Sequence, residues 1–168
     1  GVKWIASMPD NLSKGMERAS AVMILNDRLT GRPRAVIEGS IISKQRTAAS
    51  AALAAKVLAP RAPETIGFVG CGPINIAVAH FLCMVWPNAG RFIGFDLDPA
   101  RTELFGEAVL THRPSADFRM AASLDEVLRE CPMVAFATTA ITPYVDDLDA
   151  CPAGATILHV SLRDLKAE

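Results

Sequence analysis

Residues 65–75, TIGFVGCGPIN, constrain the fold of this chain more than any other stretch. A continuous apolar run such as IGFV is typical of a strand that is buried on both faces of a parallel sheet. Gly70 and Gly72 then predict a turn, and Pro73 suits the first position of a helix, where its missing N–H loses no hydrogen bond. The stretch therefore predicts a strand, a glycine turn and a helix in direct succession.

The two glycines have the spacing that begins the G-x-G-x-x-G fingerprint of dinucleotide-binding folds. Free amides and the dipole at the start of the following helix favour the binding of a pyrophosphate, and Gly72 has no side chain to block its approach. A lone G-x-G is weak support, since glycine marks many turns. An ordinary turn between a strand and a helix is the alternative interpretation of these glycines.

Position 75 departs from the fingerprint, because asparagine stands where a third small residue is expected. That residue serves the packing of the helix on the strand and makes no phosphate contact. Asn75 is expected either to push the helix slightly outward or to point its amide at the cofactor. We take the cofactor contact as the hypothesis.

An aspartate follows the next predicted strand, RFIGF. Asp96 lies 21 positions beyond Asn75 (96 − 75), which matches the spacing of about 20 for the carboxylate that binds the adenosine ribose hydroxyls. A carboxylate at this place repels a 2′-phosphate, and the nearest cation, Arg101, is expected one turn into the next helix. The pattern therefore favours NAD over NADP.

Strands and helices alternate through the rest of this region. The apolar runs RFIGF, MVAFAT and ATILHVS predict further strands, and helices are expected from Pro73, from about Pro99 and after a capping box at residues 123–126. This alternation predicts an α/β fold, a Rossmann-like doubly wound parallel sheet over residues 64–168. Residues 1–60 predict part of a smaller α+β domain, with a strand, a β-hairpin and a helix over 43–59.

Charge and composition exclude several classes of protein. Seventeen basic and eighteen acidic residues give a net charge of −1 without a basic block, which argues against a nucleic-acid or membrane surface. The longest apolar stretch, residues 76–86, is shorter than the roughly 20 residues that span a bilayer. No secretion signal opens the chain, and the four cysteines lack C-x-x-C spacing, so we expect reduced thiols in a cytoplasmic protein and no metal site.

Six motifs follow one another along the chain: GVKWIAS, IEGSIISKQRTAASAALAA, GCGPIN, DLDPAR, FATTAITPY and HVSLRDL. Together they resemble the ornithine cyclodeaminase/mu-crystallin family, and within it most closely the branch that makes 2,3-diaminopropionate for siderophores and related metabolites. The resemblance implies NAD as cofactor, a small amino-acid-derived substrate and a homodimer. It also implies that this chain is the central piece of a protein about twice as long.

The resemblance implies a substrate site built from three cations. Lys3 and Arg46 match the residues that bind the substrate carboxylate in the family, and Arg18 is expected to reach the cofactor or the substrate. A planar guanidinium such as that of Arg46 can hold a carboxylate through two hydrogen bonds. Without the family, Lys3 would be interpreted as a solvated strand residue and Arg46 as a surface cation.

The resemblance also implies that Asp164 is the catalytic aspartate, acting as the general base. An acid just beyond the end of a parallel strand lies where α/β folds place their ligands, although by itself Asp164 resembles an ordinary loop cap. Leu162 and Arg163 replace glycines of the cyclodeaminases, which implies a substrate other than ornithine. The cofactor-binding residues implied by the resemblance are Gly70, Gly72, Pro73, Ile74, Asn75, Asp96, Thr138, Thr139, His159, Val160 and Ser161.

The implied reaction is the NAD-dependent oxidative hydrolysis of N-(2-amino-2-carboxyethyl)-L-glutamate to 2-oxoglutarate and L-2,3-diaminopropionate. Two alternatives stay open. One is an ornithine cyclodeaminase, which makes proline and ammonia while NAD is reduced and reoxidised within each cycle. The other is a non-catalytic, crystallin-like relative that only binds a nucleotide.

Overall fold

A computed structural model describes residues 1–166 of the chain. These residues group into two units, Gly1–Arg46 and a second unit that begins at Thr47. The division falls inside a long helix, Ser40–Leu58. The reason is that three alanines in the later part of this helix (Ala48, Ala52 and Ala55) are buried in the core of the second unit.

The first unit contains a three-stranded antiparallel sheet. Its strands are β1 (Val2–Ser7), β2 (Ala19–Asn26) and β3 (Pro33–Glu38), in the order β1-β2-β3, and a short 3-10 helix over Pro9–Lys14 connects β1 to β2. The predicted hairpin is confirmed, and the Asp27 carboxylate supports its turn by accepting hydrogen bonds from the amides of Leu29 and Thr30. Helix α1 (Ser40–Leu58) follows and begins before the predicted position 43.

The second unit is a five-stranded parallel sheet with helices in the connections. Its strands are β4 (Thr65–Val69), β5 (Arg91–Phe95), β6 (Asp117–Met120), β7 (Met133–Phe136) and β8 (Thr156–His159), in the order β6-β5-β4-β7-β8. The helices are α2 (Pro73–Val85), α3 (Pro99–His112) and α4 (Leu124–Glu130). This order confirms the predicted Rossmann-like, doubly wound sheet. Strand β6 was not predicted, because its sequence DFRM is only four residues long and half polar.

Apolar side chains cover both faces of this sheet, as the unbroken run in β4 predicted. Ile66 and Phe68 point to one face, where they join a cluster with residues of α1, α2 and α3. Val69 points to the other face and joins a cluster that includes Val127 and Leu128 of α4. Within residues 1–166, no helix combines the length and the apolar character needed to cross a membrane.

Helix α4 packs so closely on β4 that it leaves no room for a side chain at Gly67. A Cβ atom built there would lie 2.5 Å from Val127 Cγ1 and 2.9 Å from Cys131 Sγ, and both of these residues are fully buried. Glycine in the middle of β4 is therefore a packing requirement of the α4–β4 contact.

We expect Gly67→Ala to lower the free energy of unfolding by about 1–3 kcal/mol, the usual cost of overpacking a filled core. The reduced entropy of the unfolded chain opposes this effect by at most ~1 kcal/mol. Urea unfolding measures the change. Gly90→Ala is the matched control, because a Cβ there would meet nothing closer than 3.9 Å. Equal stability of the two variants would contradict the proposed packing role.

Candidate active site

The candidate site lies where the connections leave the sheet in opposite directions. β4 is paired with β5 on one side and with β7 on the other. The chain adds β5 and β6 on one side of β4 and then β7 and β8 on the other, so the order of the strands reverses between β4 and β7. Open α/β sheets bind ligands in the crevice at such a point. The segments that follow β4, β5, β7 and β8 meet at this edge, and together with His159, the last residue of β8, they contain all the predicted site residues of the second unit.

The turn after β4 requires the first of its two glycines, Gly70. Gly70 has φ +82°, and a Cβ there would lie 2.7 Å from the carbonyl oxygen of Ala137, so no other residue fits without strain. Gly72 is different, since a Cβ there would meet no atom within 4 Å. The space that a side chain at position 72 would occupy is therefore open, and it lies at the start of α2.

The start of α2 has the features of an anion site. Pro73 occupies the first turn, and no side chain caps the helix. The amides of the first turn have no acceptor inside the helix, and among them that of the partly exposed Ile74 can bind one from outside. Uncapped amides beside the open face of Gly72 fit a pyrophosphate.

Asp96 closes the turn from the neighbouring strand. One of its carboxylate oxygens accepts a hydrogen bond from the Cys71 amide at 2.7 Å, and the other accepts one from the Asp98 amide at 3.0 Å. The side chain is only half-buried, so both oxygens keep free lone pairs for a sugar hydroxyl. Arg101, the cation expected nearby, lies 3.6 Å from Asp98.

Asn75 points into the protein. The residue is 0% exposed, and its Nδ2 donates hydrogen bonds to the carbonyl oxygens of Val69 and Gly70 at the end of β4 and of Ala135 in β7, at 3.1, 2.7 and 3.1 Å. Its Oδ1 is buried without a partner among residues 1–166. The predicted contact between Asn75 and the cofactor does not match this geometry, because no atom of the side chain is accessible to a ligand.

Asp164 is the centre of a polar cluster between the ends of β7 and β8. It is 0% exposed. The hydroxyls of Thr138 and Tyr144 donate hydrogen bonds to its Oδ1, with Tyr144 at 3.0 Å, and the Ser161 hydroxyl donates to its Oδ2. The Tyr144 and Val145 amides both donate to the Asp164 carbonyl oxygen, so backbone and side chain are held together.

The hydrogen bonds keep this buried carboxylate ionised. Burial alone would raise the pKa of Asp164, but the hydroxyls of Ser161, Thr138 and Tyr144 outweigh it and hold the pKa below the usual 3.8. Burial and the nearby Asp164 charge in turn raise the pKa of the Tyr144 phenol. Asp164 is therefore an anion at neutral pH, and Tyr144 is a neutral donor.

His159, the last residue of β8, completes the cluster. Its Nε2 lies 3.1 Å from Asp164 Oδ2 and also 3.1 Å from the Asp164 amide nitrogen. A protonated Nε2 donates to the carboxylate, whereas an unprotonated Nε2 accepts from the amide. The His159 side chain is 22% exposed, while that of Asp164 is enclosed.

The turn between His159 and Asp164 contains an unusual backbone conformation. Leu162 has φ +62°, in the left-handed region that favours glycine, and its side chain is 76% exposed. The Ser161 amide is bonded to the Phe136 carbonyl oxygen, and Leu165 forms a parallel bridge with Val145, so the turn is fixed at both ends.

The structure places one residue beside Asp164 that the sequence did not single out, Tyr144. The motif FATTAITPY contains this tyrosine and could have drawn attention to it. The contact between its phenol and Asp164 joins residues that are 20 positions apart, so it becomes visible only in the folded chain. Of the other predicted cofactor residues, Thr139 is exposed at the end of the β7 segment, and the Val160 amide donates to the Phe136 carbonyl oxygen.

The three predicted substrate-binding cations lie in the first unit. Lys3 Nζ donates to the Ser43 hydroxyl at 3.2 Å, and Arg46 follows Ser43 by one helical turn on α1, where it is exposed. The structure therefore brings the Lys3 ammonium to the helix turn that precedes Arg46. Arg18 lies apart from this pair, with Nη1 bonded to the Ser7 hydroxyl at 3.1 Å.

Comparison with known proteins identifies close relatives. The sequence model of the ornithine cyclodeaminase/mu-crystallin family matches residues 1–162. The N-((2S)-2-amino-2-carboxyethyl)-L-glutamate dehydrogenase of Staphylococcus aureus is 34% identical over 169 aligned residues, which cover all of this chain and 50% of that protein. The chain thus spans about half the length of the curated relatives it matches first.

Two solved structures share the fold over nearly the whole chain. The Δ1-pyrroline-2-carboxylate reductase of Thermococcus litoralis, in complex with NADH and L-proline, is 27% identical with a TM-score of 0.88, covering 98% of this chain and 51% of its own. An archaeal alanine dehydrogenase dimer with bound NAD is 28% identical with a TM-score of 0.81, covering 92% of this chain and 47% of its own.

We expect Asp164→Asn to lower the free energy of unfolding at neutral pH by about 1.5–3 kcal/mol, the value of a hydrogen bond to a charged group. An aspartate whose pKa is lower in the folded state adds stability above its unfolded pKa of about 4 and loses it as the pH falls through the folded value. The difference between wild type and variant should therefore shrink between about pH 5 and pH 2. Urea unfolding over this range tests it, with the exposed Asp149→Asn as control. A difference independent of pH would contradict the assigned charge.

Proposed function

The chain belongs to the ornithine cyclodeaminase/mu-crystallin family, and from this we propose that it forms the NAD-binding part of an oxidoreductase acting on an amino-acid-derived substrate. The observation that carries the proposal is the convergence of three features on one edge of the sheet. These are the uncapped start of α2 beside Gly72, the half-buried Asp96 and the polar cluster around Asp164.

NAD fits the residues at this edge. The α2 amides and the open face of Gly72 would hold the pyrophosphate, and Asp96 would bind the adenosine ribose hydroxyls. Thr138, Thr139 and the backbone of His159–Ser161 would lie along the nicotinamide half. When bound, NAD supplies a hydride acceptor for the substrate carbon.

The specific reaction that we propose is the oxidative hydrolysis of N-(2-amino-2-carboxyethyl)-L-glutamate to 2-oxoglutarate and L-2,3-diaminopropionate. Its support is the 34% identity to the Staphylococcus aureus dehydrogenase over the whole chain. A substrate with several carboxylates also suits the cations Lys3 and Arg46, which would hold it through charge-assisted hydrogen bonds. Arg18 is proposed as a further contact.

The sequence assigned the general-base role to Asp164. In this geometry the carboxylate is enclosed, and each of its oxygens already accepts hydrogen bonds from hydroxyl groups. Proton transfer by Asp164 would therefore pass through one of the side chains that surround it. We also propose a homodimer for the full-length protein, supported by the dimeric archaeal alanine dehydrogenase of the same fold.

The activity test uses the full-length protein that contains this chain, with NAD and N-(2-amino-2-carboxyethyl)-L-glutamate. We expect NADH to accumulate in equal amount to 2-oxoglutarate and 2,3-diaminopropionate, because the proposed reaction does not reoxidise the cofactor. Ornithine is the control substrate. Proline formation without net NADH would identify a cyclodeaminase, and NAD binding without turnover of either compound would identify a non-catalytic relative.

A second test concerns the cofactor alone. Asp96→Asn should weaken NAD binding by about 10-fold or more, since a hydrogen bond to a charged acceptor is worth roughly 1.5–3 kcal/mol. The affinity for NADP should fall much less, because the variant also removes the repulsion between the Asp96 carboxylate and the 2′-phosphate. Calorimetric titration with both cofactors measures the ratio of affinities. An unchanged ratio would show that the Asp96 carboxylate does not face the ribose.

A further inference from the structure

We infer that Asn75 is a positioning residue of the cofactor site and that it acts on the Asp96 carboxylate. The two side chains are connected by the peptide unit between Gly70 and Cys71. The inference rests on the proposed function and deepens it, because it explains how the chain orients the carboxylate that would bind the adenosine ribose. It gives the departure from the fingerprint at position 75 a role in cofactor binding, although the side chain itself does not reach a ligand.

The two side chains hold opposite sides of one peptide unit. Asn75 Nδ2 donates to the Gly70 carbonyl oxygen at 2.7 Å. The Cys71 amide donates to Asp96 Oδ2, also at 2.7 Å. This carbonyl and this amide belong to the same planar, trans peptide unit, so they point in opposite directions. The plane of the peptide is therefore fixed from one side by Asn75 and from the other by Asp96.

The orientation of this peptide unit needs support, because a glycine precedes it. Gly70 has φ +82°, and a glycine leaves the next peptide unit more than one accessible orientation. The Gly70 N–H is bonded to the Phe95 carbonyl oxygen at 2.9 Å, which fixes the preceding peptide unit only. Among residues 1–166, Asn75 is the one donor to the Gly70 carbonyl oxygen. The Val69 oxygen, in contrast, also accepts from the Ala137 amide at 3.0 Å.

Asparagine is a costly residue at position 75 if packing is its only role. Asn75 is 0% exposed, and its Oδ1 is buried without a hydrogen-bond partner among residues 1–166. A buried polar atom without a partner lowers the stability of the fold. The glycine or alanine of the fingerprint packs a helix on a strand without this cost. What the asparagine adds is the set of hydrogen bonds that its Nδ2 donates.

The carboxylate of Asp96 depends on the peptide unit for its orientation. Its Oδ2 is held by the Cys71 amide, and its Oδ1 accepts from the Asp98 amide at 3.0 Å. The two bonds together fix the plane of the carboxylate, and with it the direction of the remaining lone pairs. A carboxylate that is held in place before the ligand arrives loses less freedom on binding. Removal of the Asn75 amide would therefore weaken the contact between Asp96 and the ribose.

The binding test compares the wild-type protein with Asn75→Ala, both full-length, by calorimetric titration with ADP and with 2′-deoxy-ADP. Both nucleotides contain the diphosphate, but the deoxy form lacks a hydroxyl that the Asp96 carboxylate would bind. We expect the wild-type protein to prefer ADP by about 10-fold or more, the value of a hydrogen bond to a charged acceptor. In Asn75→Ala the preference should fall to about 3-fold or less, because the carboxylate is no longer fixed.

Val109→Ala is the matched control for a loosened core. Val109 is 2% exposed and lies near the end of α3, which leads to the start of β6 at the opposite edge of the sheet. This variant should keep the wild-type preference for ADP. A merely structural role of Asn75 would weaken the binding of both nucleotides by the same factor, and an unchanged ratio in Asn75→Ala would overturn the inference. A wild-type protein that binds neither NAD nor ADP would instead overturn the proposed function.

Nuclear magnetic resonance of the protein without ligand tests the contact independently of cofactor binding. The Cys71 amide proton should lie far downfield in the wild-type protein, because it donates to a charged acceptor at 2.7 Å. We expect it to move upfield in Asn75→Ala and to stay in place in Val109→Ala. An unmoved Cys71 signal in Asn75→Ala would overturn the inference, whether or not the protein binds NAD. Rapid exchange of the Asn75 side-chain amide hydrogens in the wild-type protein would also overturn it, and this measurement needs no variant.

Discussion

The site depends on one buried side-chain amide, that of Asn75, which ties the start of α2 to the neighbouring strands β4 and β7. Parallel strands can place their carboxyl ends around a ligand only if the gap between β4 and β7 keeps a fixed width. The hydrogen bonds between the paired strands set this width. Asn75 adds a link from the first turn of α2, because its Nδ2 donates to carbonyl oxygens at the ends of both strands. A glycine or alanine at this position packs a helix against a strand but cannot make these bonds. The departure from the fingerprint is therefore a structural link of its own.

The Asp164 cluster shows how the fold holds a charge in a buried position. An enclosed carboxylate is costly unless hydrogen bonds replace its water. Here three hydroxyls do so, and their residues come from both β7 and β8 segments. The anion thereby fixes the positions of neighbouring side chains that are less enclosed. Fold stability and site geometry share one set of contacts.

The sequence predicted elements well wherever local physics decides them. The buried run of β4, the glycine turn and the helix from Pro73 follow from backbone conformation and burial, and the structure contains all three. Strand β6 was not predicted because DFRM alternates polar and apolar residues over only four positions, and it pairs with the edge that β5 offers. The capping box was half right, since Ser123 caps α4 but Glu126 bonds to the Ala122 amide and to Arg119. The direction of Asn75 and the enclosure of Asp164 depend on contacts distant in sequence, which one chain read alone does not reveal.

The bond from the Cys71 amide to Asp96 has a consequence for anyone who wishes to redesign the cofactor preference. Exchanging the acid for a small neutral residue would remove the charge that disfavours a phosphorylated sugar. The same exchange would deprive the glycine loop of its acceptor, so the loop could drift from the position that receives the diphosphate. A successful redesign would have to supply a new neutral acceptor for that amide together with a cation for the added phosphate.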